Sequence, residues 1–237
     1  MVISHPATYQ RGNTGSIHPK EKEVTMPNTY RINSPYNNLI KLNVTPGHFA
    51  TTQSHINAFI DLTTLKARSS EAKAVAKSIS SEYMATTVVD VIICMDGTDV
   101  IGAYLADELT NSGVMCMNAH GSIYVITPEQ NAMGQLTFTD NVVPMVKGKH
   151  VLLLLATAST GHTVEKAIEC ITYYGGTIEG ISSIFTATDE IYGYPIHSVF
   201  HKKDIEGYDS FPSNDCPFCK SGAKLDGIIS VGGLKAL

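Results

Sequence analysis

The 237-residue sequence predicts an α/β fold built on a mostly parallel sheet. Three observations lead there. Val151 to Leu155 is an unbroken apolar run, without the polar alternation of a half-solvated strand, as in a strand buried on both faces. Straight after it the period changes: Val164, Ala167, Ile168 and Ile171 fall at i, i+3, i+4 and i+7, and Gly175-Gly176 ends the helix so defined. Apolar runs alternate with helical patterns elsewhere along the chain, which is the arrangement of βαβ units.

Taken in order, Met1 to about Asn33 is polar, holds three prolines and the charged run Lys20-Glu21-Lys22-Glu23, and reads as an extended arm, mobile or laid on a neighbouring subunit. Asn33 to Asp61 reads as short strands, with Leu39, Ile40, Leu42 and Val44 strand-like and Pro46-Gly47 marking a turn. Ser69-Ser70-Glu71 starts a helix with a serine cap, and Ala72, Val75, Ala76 and Ile79 form its buried face. Val88 to Met95 is a buried strand. Asp96-Gly97-Thr98 turns the chain into a helix with Ile101, Tyr104, Leu105 and Leu109 on one face, ended by Ser112-Gly113. Val114 to Met117 and Ser122 to Ile126 are further strands. Thr127 to Val143 is a polar loop long enough to be a functional flap or a disordered segment. Thr177 to Phe185 is the last clear strand.

Composition narrows the function. Net charge is −5 and pI is near 6.0. No Lys/Arg run appears, which points away from nucleic acid and from anionic membranes. No apolar run is long enough to span a bilayer, and no signal peptide is expected at the N-terminus. Cysteines are five, an odd number, and Cys94, Cys116 and Cys170 lie in core-like segments. This fits a reducing cytoplasm better than a disulfide scaffold.

The chemistry is expected between the strand Val151–Leu155 and the helix after it. Ala156 to Thr163 is small and hydroxyl-rich. Its N–H groups and hydroxyls, with the positive end of the helix dipole, would hold an anion. A tight turn with no ligand is the competing reading. In an open α/β sheet ligands sit at the carboxyl ends of the strands, where Asp96-Gly97 and Thr157 to Thr163 would lie.

This segment resembles the phosphoribosyl-pyrophosphate (PRPP) motif of type I phosphoribosyltransferases. That motif runs four apolar residues, two adjacent acids, then a Thr-rich loop ending Thr-Gly-Gly-Thr. Val151 to Leu154 match the apolar part, and Ser159-Thr160-Gly161-His162-Thr163 match the loop, with His162 in place of the second glycine. The resemblance implies a phosphate-binding stretch of Thr157, Ala158, Ser159, Thr160, Gly161, His162 and Thr163. The acidic positions, which hold the ribose 2′- and 3′-hydroxyls in the family, are Leu155 and Ala156, whose side chains accept no hydrogen bond.

The likeness is to orotate phosphoribosyltransferases in particular. Gly47-His48-Phe49 and His55-Ile56-Asn57-Ala58-Phe59-Ile60-Asp61 are similar to the N-terminal hood that covers the base, with His55, Phe59, Ile60 and Asp61 matching. Asp96-Gly97-Thr98 stands where the family has its diphosphate loop. Asp96 would repel that anion directly, and could approach it through Mg²⁺. The commoner role for such an aspartate is a helix cap. The flap carries cations that clamp the diphosphate in the orotate enzymes, and here Thr127 to Val143 has no Lys, Arg or His. Cys216-Pro217-Phe218-Cys219 is similar to a tail found in some of those enzymes. As a zinc site it is half complete, with His197 and His201 the nearest completers. The pair is read as reduced thiols at a turn, ahead of zinc or a redox couple. Of His120, His150 and His162, the last alone lies on a candidate ligand loop.

These likenesses divide the chain into an arm (1–33), a hood with the first helix (34–84), a phosphoribosyltransferase-like core (85–200) and a tail with the CxxC (201–237). They imply a homodimer. They also imply a protein that binds a phosphate-bearing small molecule, a nucleoside monophosphate or PRPP, with weak or lost transfer. An active transferase using Mg²⁺ and a structural partner with an empty site are the alternatives.

Overall fold

A computed structural model describes residues 28–111, 116–119, 121–230 and 233–237. The expected arm up to residue 27, the helix end at Ser112-Gly113 and His120 lie outside the described residues. So do residues 114 and 115 of the expected strand Val114–Met117, while Cys116 and Met117 are not in a strand.

In chain order the elements are β1 (Tyr30–Asn33), β2 (Lys41–Ala50), β3 (Ser54–Asp61), α1 (Thr63–Ala67), α2 (Ser69–Tyr83), β4 (Val91–Cys94), α3 (Asp99–Asn111) and β5 (Tyr124–Ile126). Next come β6 (Glu129–Gln130), β7 (Leu136–Thr137), β8 (His150–Ala158), α4 (His162–Tyr173), β9 (Thr177–Thr186), β10 (Glu190–Ile191) and β11 (Tyr194–His201). β12 (Ser210–Pro212), α5 (Pro217–Lys220), β13 (Gly227–Ser230) and β14 (Gly233–Ala236) complete the series.

The central sheet has the order β10-β11-β9-β8-β4-β5. All its strands but β10 run parallel. The central strands are buried on both faces, as the unbroken apolar run predicts. Val151 to Leu155 are each 0% exposed, and Val91 to Cys94 are equally covered. Alternate residues feed two separate cores. Leu152, Leu154 and Ala156 pack with α2, α3 and the hood, through Val75, Ile79, Ile101 and Leu105. Val151, Leu153 and Leu155 pack under α4 with Val164, Ala167 and Ile171. The four apolar positions predicted for α2 are all buried, as are Ile101, Leu105 and Leu109 of α3.

The second sheet, order β12-β3-β2-β13-β14 with β1 also on β2, is made from both parts of the chain that flank the core. Tyr30–Asn33, expected at the end of the arm, is a strand paired with Lys41–Val44. The stretch 201–237 is no separate tail: β12 pairs with β3, and β13 lies parallel to the end of β2. Pro46-Gly47 does not turn the chain. β2 runs through it with a bulge between Pro46 and Phe49, so that His48 is re-aimed out of the regular alternation.

Three local readings also change. Ser69 is the first residue of α2, not its cap. Arg68 stands at the cap position, and the Ser69 hydroxyl pairs with Tyr104 Oη at 2.6 Å. The strand before Asp96 begins at Val91, three residues later than expected; just ahead of it Asp90 N–H donates to His150 O and the Asp90 carbonyl accepts from Tyr124 N–H. The segment expected to be a functional flap or a disordered loop contains the β6–β7 hairpin, in which Asn131 Oδ1 accepts from the N–H groups of Met133 and Gln135. Phe138 anchors it against Tyr174 at the foot of α4, ring centroids 5.2 Å apart.

Candidate functional site

Strand order places the site. The parallel strands follow β4, β5, β8, β9, β11 in sequence and β5-β4-β8-β9-β11 in space, so the winding direction reverses between β4 and β8. The crevice at such a switch point, beyond the carboxyl ends of the strands, is where open α/β sheets take ligands. Here it is bounded by the turn after β4, Asp96-Gly97-Thr98, and by the turn after β8.

β8 runs further than its apolar stretch suggests. Thr157 pairs with Phe185 and Ala158 with Thr186, so both belong to the strand. Of the seven residues expected to form a phosphate loop, Ser159, Thr160 and Gly161 make the turn, and His162 and Thr163 open α4. Gly161 is the cap residue, with φ of 83°, a left-handed conformation that glycine adopts without a side-chain clash. A Cβ there would also stand 3.3 Å from Ile191 Cγ2. The N–H groups of the first turn of α4 have no partners within the helix. Thr160 and His162 are exposed and Gly161 is buried. His162 Nδ1 lies 3.8 Å from Glu165 Oε2. The Tyr192 hydroxyl also bonds Glu165, which pushes its pKa up.

The two positions beneath this turn belong to the interior. Leu155 is 0% exposed and Ala156 4%. They face opposite cores, Leu155 that of α4 and Ala156 that of α2 and α3.

The turn after β4 is stapled to β8. Met95 N–H donates to Leu154 O at 2.8 Å, and the buried Thr98 hydroxyl lies 2.9 Å from Met95 O and 3.2 Å from Leu154 O. Asp96 has φ of 57° and Gly97 of 76°. Asp96 is not the helix cap: α3 starts at Asp99, and Thr98, whose carbonyl accepts from Gly102 N–H, is the residue before it. Burial pushes the Asp96 carboxyl pKa up, against the opposing pull of Lys66 and a backbone hydrogen bond from Ala156. Lys66 Nζ donates to the Asp96 carbonyl at 2.7 Å. This cation reaches the crevice from α1, 30 positions upstream. Its sequence context, a lone lysine on a five-residue helix, carries no signal of that role.

The raised carboxyl makes a pH prediction. Folded Asp96 holds its proton more tightly than the unfolded chain does. Between its ordinary value and its raised one the folded state therefore carries the extra proton, and stability falls as pH rises through that window. Asp96→Asn should remove this slope. Denaturant midpoints between about pH 4 and 7 test it, and identical slopes in wild type and variant would refute it.

The other expected residues lie apart from this crevice. The flap hairpin packs beside the middle and end of α4, where a groove of about 520 Å³ is lined by Met133, Leu136, Lys166, Glu169 and Tyr173. Phe59 packs against Phe49, ring centroids 6.0 Å apart, inside the hood. His55 points at His48, with Nδ1 3.0 Å from His48 Nε2. Cys216 and Cys219 meet these two histidines, not the pair that sequence proximity suggested. His197 sits beside Glu82 and His201 beside Asp204, so neither joins the thiols. Both are free thiols, Cys216 buried and Cys219 exposed. Among the described residues no helix is long and apolar enough to cross a membrane.

No family model matches the chain. An 81-residue stretch, 33% of the chain, is 32% identical to the orotate phosphoribosyltransferase of Caldanaerobacter subterraneus subsp. tengcongensis, and spans 40% of that relative's length. Among solved structures, orotate phosphoribosyltransferase from Mycobacterium tuberculosis H37Rv in complex with Fe(III) dicitrate is similar at 15% identity and a TM-score of 0.48, over 69% of this chain and 91% of that one. Leishmania donovani UMP synthase gives 20% identity and a TM-score of 0.49, over 68% of this chain and 34% of that one. In the motif at the end of β8 and in its curated relative, the chain resembles the type I phosphoribosyltransferases, and the orotate enzymes among them.

Proposed function

We propose that the protein binds a phosphate-bearing ribosyl ligand, a nucleoside monophosphate or PRPP, at the Ser159–Thr163 turn, and that transfer of a base is weak or lost. The observation that carries this is the burial of Leu155 and Ala156 where the resemblance calls for two exposed acids. The phosphate end of the site keeps its glycine cap, its hydroxyls and the N-terminus of α4. The ribose end has no side-chain acceptor in those two positions. Each lost hydrogen bond to a charged group removes roughly 1.5–3 kcal/mol from a ribosyl group held there. The flap holds no cation and packs away from the crevice, and one of the three Lys66 donors is taken by the Asp96 carbonyl. Mg²⁺ at Asp96 would bridge to the diphosphate, which leaves room for a residual rate. A homodimer and a cytoplasmic location belong to this reading too.

The test pairs calorimetric titration with a turnover assay. Ribose 5-phosphate and nucleoside monophosphates should bind saturably to wild type, and Gly161→Val should weaken them at least tenfold, about 1.4 kcal/mol. Orotate with PRPP and Mg²⁺ should turn over at less than about a hundredth of a typical enzyme's 10 s⁻¹. A wild-type rate within about tenfold of that figure would establish the active transferase instead. Absence of binding by every phosphate ligand would remove the reading altogether.

A further inference from the structure

We propose that His48, His55, Cys216 and Cys219 bind a structural zinc ion that clasps the segment around Cys216–Cys219 to the hood. Their ligand atoms all lie within 4.8 Å of one another. His48 Nε2 stands 3.0 Å from His55 Nδ1, 3.5 Å from Cys216 Sγ and 3.6 Å from Cys219 Sγ, and Cys219 Sγ stands 3.3 Å from His55 Nδ1. Zinc bonds of about 2.05 Å to nitrogen and 2.3 Å to sulfur, set at tetrahedral angles, put ligand atoms about 3.3 Å (N to N) and 3.5 Å (N to S) apart. Four of the six edges of that tetrahedron are already near those lengths, and the other two pairs of ligand atoms lie within 4.8 Å.

Hydrogen bonding alone does not account for the cluster. His48 Nδ1 lies 3.2 Å from the carbonyl of Lys224, which makes it the protonated nitrogen. Nε2 then has a single lone pair, yet three groups converge on it. One donor can use that lone pair, and the other two would crowd it without benefit. A cation at the centre gives every inward-facing atom a partner. The Lys224 carbonyl is the kind of outer contact that fixes a zinc-binding imidazole in the correct tautomer. Charge agrees as well: two thiolates and two neutral imidazoles around Zn²⁺ sum to zero. That matters because Cys216 is 1% and His48 3% exposed, and an unbalanced charge there would be costly. Tetrahedral S₂N₂ sets suit zinc over harder cations. All four positions come from the protein, so the site is closed and structural, with no open position for substrate.

The backbone is built around this cluster. The β2 bulge turns His48 inward, and Asp226 grips it from both sides. Its Oδ2 accepts from His48 N–H at 2.7 Å, and its own N–H donates to His48 O at 2.8 Å. Gly47 lets Asp226 come this close, since a Cβ there would stand 2.8 Å from Asp226 Oδ2. Phe218, between the two cysteines, stacks on the His48 ring at 5.3 Å.

Untagged protein purified from zinc-supplemented medium should carry about one zinc per chain by elemental analysis. Cys216→Ser and His48→Ala should lower this below about a tenth, while His201→Ala leaves it unchanged. Because those variants lose a buried ligand and can misfold, wild type gives a second readout. Stripping with a strong chelator should lower its thermal midpoint on the order of 10 °C, and zinc should restore it. Cobalt added to stripped wild type should give the intense visible absorption of a tetrahedral thiolate complex. Zinc-free wild type that takes up no cobalt, or metal lost on His201→Ala and kept on His48→Ala, would overturn the proposal. None of these readouts depends on phosphate binding at the β8 turn.

Discussion

Leu155→Glu should destabilise the protein by about 3–5 kcal/mol at neutral pH and gain no transferase activity. The substitution places an acid where the resembled motif has one, and the surroundings do not accept it. Leu155 is fully covered and packs with Val91, Ile93, Val164 and Ala167. A carboxylate there loses its water and meets no cation. Burial raises its pKa, so near neutral pH the folded state binds a proton that the unfolded chain has released. The loss is therefore smallest in acid and grows as pH rises through the raised pKa. For a chain of this length the thermal midpoint should fall on the order of 10 °C. Leu155→Met, which keeps volume and polarity, should lose less than about 1.5 kcal/mol and serves as the control. A Leu155→Glu, Ala156→Asp protein as stable as wild type that also transfers orotate would show that the pocket is intact behind the leucine, and this account would be wrong.

Gly180→Ala should also be severe, at roughly 2–3 kcal/mol. β9 bulges between Ile178 and Gly180, and the Tyr83 ring fills the space a side chain would take. A Cβ at Gly180 would lie 2.4 Å from Tyr83 Cε1 and 3.0 Å from its Cζ and hydroxyl. The ring cannot retreat easily. Its hydroxyl is held by Ser182 Oγ at 2.8 Å, and its edge meets His197. The strand cannot retreat either, being paired with β8 and β11. Urea midpoints measure the effect. Tyr83→Leu combined with Gly180→Ala should cost at least about 1 kcal/mol less than the two singles added together, because removing the ring relieves the clash that the added methyl makes. A loss under about 0.5 kcal/mol for Gly180→Ala would mean that the ring moves freely.

The core could be read from the sequence because its signals are local. An unbroken apolar run can have no solvated face, and a 3.6 period beside it can only be a helix on that sheet. The turn before α4 was legible for the same reason, although the helix opens at His162, two residues ahead of the apolar period. What the sequence did not disclose depends on contacts across long separations. Nothing near Cys216 announces His48, whose approach requires a bulge in β2 and contacts between segments 168 positions apart. Lys66 reaches Asp96 through the packing of α1, which no periodicity encodes. The β6–β7 hairpin was hidden in a polar stretch because side-chain amides, above all Asn131, hold it together, with Phe138 as its anchor.

The hood also sets a schedule for synthesis. β2 needs β13, and His48 needs Asp226, 178 positions later. At about 5–20 residues per second a ribosome takes roughly 10–35 s to cover that distance. Throughout this interval one edge of the β2–β3 hairpin waits without its full set of partners, while the parallel core, itself rich in distant pairings, is still forming. A nascent chain stalled before Ser210 would expose a long apolar strand edge. Chaperone capture should therefore concentrate on chains in that window and fade once the last strands have emerged.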